Sequence, residues 1–381
     1  MCQRSMRRAW KQTSRSRGWG TLYTWNVVSP RLGVTAKLTA DGQTMLRASY
    51  GRFSQGVLTG ELSPVHPGVT PTITMAYGAT TGEYTTPVSV LNPRINLALD
   101  PATQTPRTDE YSIGIERRLP ARLAVSAAYI RKSGANFIAW TDTTGTYRED
   151  TRTFGSYSVP VFELTNLPAD RRFLLTNPAD FRMDYDGLVV AMEKRISSGW
   201  QASGSYTFSR VAGLQAASGT TADGAQTSTV APANMFGSDP NNLTNADGRL
   251  PNDRPHVLRM TGVVHVPLGV VVSANLQQFS GKPWAATAQV SLRQGAQRIL
   301  LEQRRSRRLS SQSILDLRVS KTVRFGDAGR VELLLDVLNL LDDTAEEALV
   351  SDVLAASTFG NPRSFVDPRR AMLGVRLHLG R

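Results

Sequence analysis

The side chains able to carry bond chemistry are few and poorly placed for it. Among 381 residues there are four histidines and a single cysteine, Cys2, which excludes a Cys-based zinc cluster and an internal disulfide framework. His256 and His265 lie nine apart in one extended stretch, so they have opposite parity and face opposite ways. They do not make a metal pair, and neither a metal nor another cofactor is expected. Asp342-Asp343 and Glu346-Glu347 fall in a segment of turn composition, where solvated charge is the expected role rather than acid–base work. No nucleophile elbow, phosphate loop, dinucleotide fingerprint or His-Glu-x-x-His stands between the elements each would need. An enzyme is therefore not expected. Charge offers binding chemistry instead. Arg304-Arg305-Ser306-Arg307-Arg308 is a basic run in a long loop, suited to lipopolysaccharide or an acidic ligand, or else solvated.

The elements that would hold such residues have a period of two. In Trp200 to Ser209 the even positions Trp200, Ala202, Gly204, Tyr206 and Phe208 are apolar or aromatic, and every odd position is polar. Ala371, Leu373, Val375, Leu377 and Leu379 repeat the pattern near the end of the chain. Such alternation reads as strands with one greasy and one wet face. About eleven are predicted, over residues 32–40, 44–53, 108–117, 122–131, 184–196, 199–209, 255–266, 269–279, 312–324, 330–340 and 369–379. Their lengths sit near the ~9–11 residues a tilted strand needs to cross a bilayer. No apolar run is long enough for a membrane helix.

The connections alternate without exception. Tight joins such as Asp41-Gly42-Gln43, Ser197-Ser198 and Pro267-Leu268 alternate with long segments over 54–107, 132–183, 210–254, 280–311 and 341–368. A soluble sandwich has no reason for this, whereas an outer-membrane barrel has short periplasmic turns and long extracellular loops. The expected fold is all-β, an antiparallel transmembrane β-barrel in partial form, with about 11–12 strands of a larger barrel.

Within it, the apolar faces of Leu315, Leu317, Val319 and Val323 and of Val331, Leu333, Leu335 and Val337 set a register. Arg318 then lies opposite Asp336 on the lumen side, as a structural ion pair. Lys321 falls on the lipid side, where a long cationic chain can snorkel. Tyr129, Trp200, Tyr206, Phe208 and Phe325 sit near strand ends, as members of aromatic girdles or as ordinary strand packing.

The run Pro106-Arg107-Thr108-Asp109-Glu110-Tyr111-Ser112-Ile113-Gly114-Ile115-Glu116 resembles the strand opening "P-x-T-x-E-Y-x-x-G" of TonB-dependent outer-membrane receptors, especially the Oar-like group with a carboxypeptidase-regulatory-like amino-terminal domain. Asp253-Arg254-Pro255-His256-Val257-Leu258, Ile314 to Thr322, Glu332 to Leu341 and Asp367-Pro368-Arg369-Arg370 match further, in the family's order. The resemblance implies a barrel of about 22 strands with a plugged lumen, importing a scarce small nutrient with energy from the TonB complex. Outer-membrane lipid, lipopolysaccharide and the barrel-assembly machinery would be partners. Residues 1–30 match neither plug nor coupling segment, so they are expected to be a basic, poorly ordered or non-native segment, and 31–381 the carboxy-terminal half of a receptor barrel. Such a piece is not expected to transport alone. The end, His378-Leu379-Gly380-Arg381, lacks the family's terminal aromatic residue that the assembly machinery reads. Two alternatives remain open: a passive pore of about twelve strands, with residues 285–302 as the twelfth, and a soluble basic β-rich surface or nucleic-acid-binding protein. The net charge of +13 is weak evidence for nucleic acid as a partner.

Overall fold

The computed structural model describes residues 8–16, 20–56, 62–214, 236–326 and 329–379. One antiparallel sheet forms its wall. The strands are β1 (Arg31–Lys37), β2 (Thr44–Ser54), β3 (Arg107–Leu119), β4 (Leu123–Ala135), β5 (Arg182–Ser197), β6 (Trp200–Leu214), β7 (His256–Val266), β8 (Val270–Phe279), β9 (Gln312–Arg324), β10 (Gly329–Leu338) and β11 (Arg370–Leu379). Each pairs with its sequence neighbours, from β1 at one margin to β11 at the other, and the two margins are not paired with one another. A two-residue strand, Gly248–Arg249, adds onto β6. All the wall pairings are antiparallel and the strands number eleven, so β1 and β11 run in the same direction.

Burial is inverted relative to a water-soluble protein. Along the wall, Leu32, Val34, Ile113, Ile115, Leu188, Val190, Val264, Leu333 and Leu335 are exposed on one face, and Leu373 on β11 is 87% exposed. The registers put these residues side by side: Val34 faces Ala48, Ala48 faces Ile113, Val190 faces Tyr206, and Leu335 faces Leu373. A contiguous apolar belt of this extent marks a surface that is not wetted by water. Exchanged backbone hydrogen bonds leave the interior of such a sheet with no unpaired peptide group, which is what hydrocarbon demands.

Tight turns close one end of the wall. Ser198 (φ 52°) and Gly199 (φ 80°) both take the left-handed conformation that a two-residue hairpin turn needs to match strand twist. At Ala121 and Arg122 the chain takes φ 59° twice without glycine, a conformation costly for residues with a Cβ.

The opposite end carries the long loops, and here lies the buried apolar core. Trp140, Phe173, Leu175, Leu62, Val65 and Leu97 cluster with Tyr23, Trp25 and Val27. Val159 and Val161 pack on Ala288, Val290, Leu292 and Ile299. Phe181 and Phe236 pack with tilted rings, 5.5 Å between centres, beside Ala285 and Leu300. Residues 285–302 belong to this loop body and not to the wall: Thr287–Leu292 pairs with Gly295–Leu300 in a separate two-stranded sheet. Their alternation buries Ala288, Val290 and Leu292 against other loops, so the twelfth wall strand considered from the sequence is not formed by them.

At the amino terminus Arg8–Ser16 pairs with Gly20–Ser29, and the Trp25 indole N–H donates to the Thr103 carbonyl at 2.6 Å. Residues 1–7 and 17–19 of the segment expected to be poorly ordered lie outside the described ones, as do the last two residues, Gly380 and Arg381.

Candidate functional site

Two surfaces present polar groups in a built arrangement: the inner face of the wall and the loop body above it. On the inner face, side chains from adjacent strands pair across the sheet. Arg47 meets Glu116 at 3.2 Å, Lys132 meets Glu110 at 2.7 Å, and Arg376 meets Glu332 at 3.0 Å. Hydroxyls do the same, Ser49 with Ser112 at 2.6 Å and Ser203 with Thr261 at 2.8 Å. The structure brings Arg318 and Asp336 together: they are register partners, with Nε donating to Oδ1 at 2.5 Å and Nη2 to Oδ2 at 2.8 Å. The period of two places all these groups on one side, because every apolar belt residue occupies the other. A hollow of about 490 Å³ on this face is lined by Glu116, Ser126, Glu193, Ser203, Arg259 and Thr261.

On the outward face, charges and phenols meet at the loop end of the belt. Arg52 donates to Asp109 through Nε at 2.8 Å and Nη2 at 3.0 Å, and the Tyr50 hydroxyl joins them at 2.8 Å. The Tyr129 hydroxyl reaches Asp186 at 2.5 Å, and Tyr206 Oη lies 2.7 Å from His256 Nδ1. Phe208 is exposed beside them. At the turn end, the Lys194 ammonium lies 4.6 Å from the Trp200 ring centre, Phe325 is exposed, and Lys321 donates to the Leu268 carbonyl. His256 faces outward and His265, nine residues on, faces inward. Among the described residues no group of three or more His, Cys, Asp or Glu side chains is placed to hold a metal ion.

The loop body is locked by buried charge. Arg171, 2% exposed, donates from Nε to Asp142 at 2.6 Å and from Nη2 to the Ser238 carbonyl at 3.0 Å, and lies 3.8 Å from Asp239. Its guanidinium stands 4.7 Å from the Phe173 ring centre, and the Tyr147 hydroxyl also donates to Asp142, at 2.8 Å. Burial pushes the Asp239 carboxyl up from its ordinary range, opposed by the Asn241 N–H, while burial drives the Tyr147 hydroxyl far above its usual value. Asn241 grips both polar groups of the Phe162 backbone, and Gln294 bonds Leu164, Phe162 and Asp239. Three long loops are thereby joined. These residues carry no periodic signal, and sequence reasoning missed them.

The arginine run departs from the solvated loop considered for it. Arg304 is buried, and Arg307 donates to Glu302 at 2.6 Å and lies 5.1 Å from the Trp284 ring centre. Arg308 donates to the Asp253 carboxylate, to its carbonyl at 2.7 Å and to that of Gly281 at 3.2 Å. Each guanidinium ties separate chain segments together, which is why four positive charges can crowd within five residues. The acidic pairs serve as loop caps: Asp343 accepts from the Ala345 N–H at 2.7 Å and Glu346 from the Ser310 N–H at 3.2 Å.

Comparison with known proteins agrees with this architecture. The family model described as "Outer membrane beta barrel domain" matches residues 9–298. No curated protein sequence matches the chain. Among solved structures, the outer membrane transporter YddB from Escherichia coli is 14% identical with a TM-score of 0.51, over 93% of this chain and 41% of that one. A variant of the ferric enterobactin receptor PfeA from Pseudomonas aeruginosa is 14% identical with a TM-score of 0.52, over 92% and 40%. The ferric-catecholate import receptor Fiu from E. coli K12 is 12% identical with a TM-score of 0.51, over 94% and 36%. The chain thus spans about two fifths of the length of these proteins, which are receptors and transporters and not enzymes. With its belt turned outward, its polar groups inward and its turns and loops segregated to opposite ends, the chain belongs to the outer membrane β-barrel domain family, and its place is the outer membrane.

Proposed function

We propose that the chain acts as the carboxy-terminal part of a TonB-dependent receptor, of the Oar-like group, which takes up a scarce small nutrient. The observation that carries this reading is the ordered loop body, with its own apolar clusters and a buried Arg171–Asp142–Asp239 lock. A sieve needs no such body; a receptor that must recognise a ligand before admitting it does. The Arg318–Asp336 pair and its neighbours would line the lumen below the ligand, as structure and not as ligand contacts.

In this reading residues 31–381 form the barrel portion, and energised import requires the further parts of a complete receptor. Closure supports it: β1 and β11 run in the same direction, so an all-antiparallel cylinder takes an odd number of additional strands. The test is a ligand panel. The chain folded in neutral detergent is titrated with ferric siderophores and other small chelates, following the fluorescence of the loop tryptophans. Saturable quenching at micromolar or lower concentration supports a receptor surface. Failure of every ligand, together with stable unit conductance of the lone chain in planar bilayers, favours the passive pore. TonB-dependent accumulation by cells carrying only these residues would refute the partial-barrel reading.

A further inference from the structure

Charge is distributed unequally between the two ends of the wall. The described residues of the five long loops, 55–56, 62–106, 136–181, 236–255, 280–311 and 339–369, carry sixteen Lys and Arg against eighteen Asp and Glu. The described residues of the turn end, 36–45, 117–124, 194–201, 265–271, 321–326, 329–331 and 377–379, carry nine Lys and Arg against one acid, Asp41. A surface so one-sided attracts anions.

Within this end one group lies on the lipid side. Arg117 on β3 and Lys194 on β5 share the outward face with Leu123 and Val125 of β4, which lies between them. Arg122, in the β3–β4 turn, reaches across to donate to the Ile196 carbonyl at 3.1 Å. Arg117 donates to the Thr44 hydroxyl at 3.1 Å, and Lys194 is buried, its ammonium bonded to the Arg195 carbonyl and the Ser197 hydroxyl. Among the described residues none of the three is ion-paired to a carboxylate. Glu116 and Glu193, the residues just before Arg117 and Lys194 in the chain, occupy the inner face, where they pair with Arg47 and Arg195. Asp41, in the neighbouring turn, is engaged by the Thr39 hydroxyl and the Gln43 N–H. Both Arg117 and Arg122 are exposed. Arg117 and Lys194 thus sit at the lower margin of the apolar belt, Lys194 beside Trp200 and Arg122 in the turn just beyond, at the height where lipid headgroups begin.

We propose that Arg117, Arg122 and Lys194 form a binding site for the headgroup of an anionic phospholipid, of which phosphatidylglycerol is the simplest. The cations would attract the phosphate while Val125, Ile115 and Ala127, on the outward face and farther from the turn, lie along the acyl chains. The turn end of an outer-membrane barrel faces the periplasm, where the leaflet is built of phospholipid, so the ligand is present where the cations are. The inference rests on insertion in the membrane and not on the receptor reading, and it stands if no nutrient is ever imported.

Trp200 supplies the probe. The full chain, folded in neutral detergent, is titrated with phosphatidylglycerol or phosphatidylcholine brominated on the acyl chains, and the quenching lost in Trp200→Phe is the signal. Brominated phosphatidylglycerol is expected to quench at lower concentration, with a preference that declines as salt is added. The paired substitution Arg117→Gln/Arg122→Gln should weaken it roughly thirty-fold, each cation near an anionic headgroup contributing about five-fold. Arg117→Lys/Arg122→Lys should retain most of it. If the Gln pair loses its far-UV β signature, Arg122→Gln alone, in an exposed turn, should give the roughly five-fold loss. Equal quenching by the two lipids, or a preference indifferent to these substitutions in folded protein, overturns the proposal. Complete displacement by millimolar inorganic phosphate would assign the cations to a soluble anion, and tighter binding of polyglutamate than of lipid would assign them to an acidic peptide; either also overturns it.

Discussion

Replacing Arg171 by methionine tests the loop lock most directly. The guanidinium is 2% exposed, between Asp142 and Asp239, which are 4% and 1% exposed. Breaking a buried ion pair by removing one partner costs about 3–5 kcal/mol, because a charge is left uncompensated. Here the lower figure is expected. Asp142 keeps hydrogen bonds from the Tyr147 hydroxyl at 2.8 Å and the Gly145 N–H at 2.8 Å. Asp239 keeps those of the Asn241 N–H at 3.0 Å and side chain at 2.7 Å. A loss of about 3 kcal/mol raises the open population of the loop body roughly a hundred-fold. Hydrogen exchange in the Tyr147–Phe154 and Tyr157–Leu164 hairpin should quicken by that factor, while the wall strands stay protected. The pH dependence has a fixed sign. Burial already holds the Asp239 carboxyl above 3.8, and loss of the cation removes a downward pull. A raised folded-state value means that the destabilisation is fully present above that value and fades as pH falls toward the ordinary carboxylate range. The variant loops should therefore recover stability on acidification, after correction for intrinsic exchange. Less than a ten-fold change at neutral pH, or a body that loosens further in acid, would refute the reasoning.

Three further outcomes are expected. Ile113→Arg, at the middle of β3 on the belt, should cost about 2–4 kcal/mol in reversible folding into vesicles, whereas Thr207→Arg, at the middle of β6 on the inner face, should cost much less; equal costs would show that the faces are misassigned. Gly281→Ala places a Cβ against the Leu309 carbonyl and 2.8 Å from that of Ser310. These backbone atoms yield only if the loop shifts, so proteolysis within residues 280–311 should accelerate, at an overpacking cost of about 1–3 kcal/mol. The Thr39 hydroxyl and Gln43 N–H hold the Asp41 carboxyl below its ordinary range. Its contribution is present at neutral pH and lost as pH falls through the lowered value, so Asp41→Asn should flatten the acid limb of the stability profile below about pH 4, and an unchanged limb would dismiss the turn as its source.

The wall was legible because the solvent on either side of it differs. Where hydrocarbon lies on one face and water on the other, as from Trp200 to Phe208, alternation is strong and each residue's side follows from parity. The same parity separates His256 from His265. Legibility stops where both faces are wet: β4 runs on through Lys132, Ser133 and Gly134, and β6 through Val211 and Ala212, beyond the predicted ends, because nothing there alternates. The loops failed for a different reason. Arg171 finds Asp239 across 68 residues and Arg308 finds Asp253 across 55, and no local pattern announces such partners. Residues 285–302 show the converse error, since a real alternation was produced by a small water-side hairpin.

Strand order also governs how the wall is made. Every wall pair joins elements adjacent in the chain, so the sheet can grow one hairpin at a time, each step costing only the entropy of closing the intervening segment, which rises slowly with length. The two margins are the exception. Arg31–Lys37 and Arg370–Leu379 do not pair with each other, so each presents a row of unpaired peptide N–H and C=O groups. Hydrocarbon requires those groups to be met by further strands, so a defect in a middle hairpin would act on the sheet's own stability, whereas one in Arg31–Lys37 or Arg370–Leu379 would act on the edges that such strands must join.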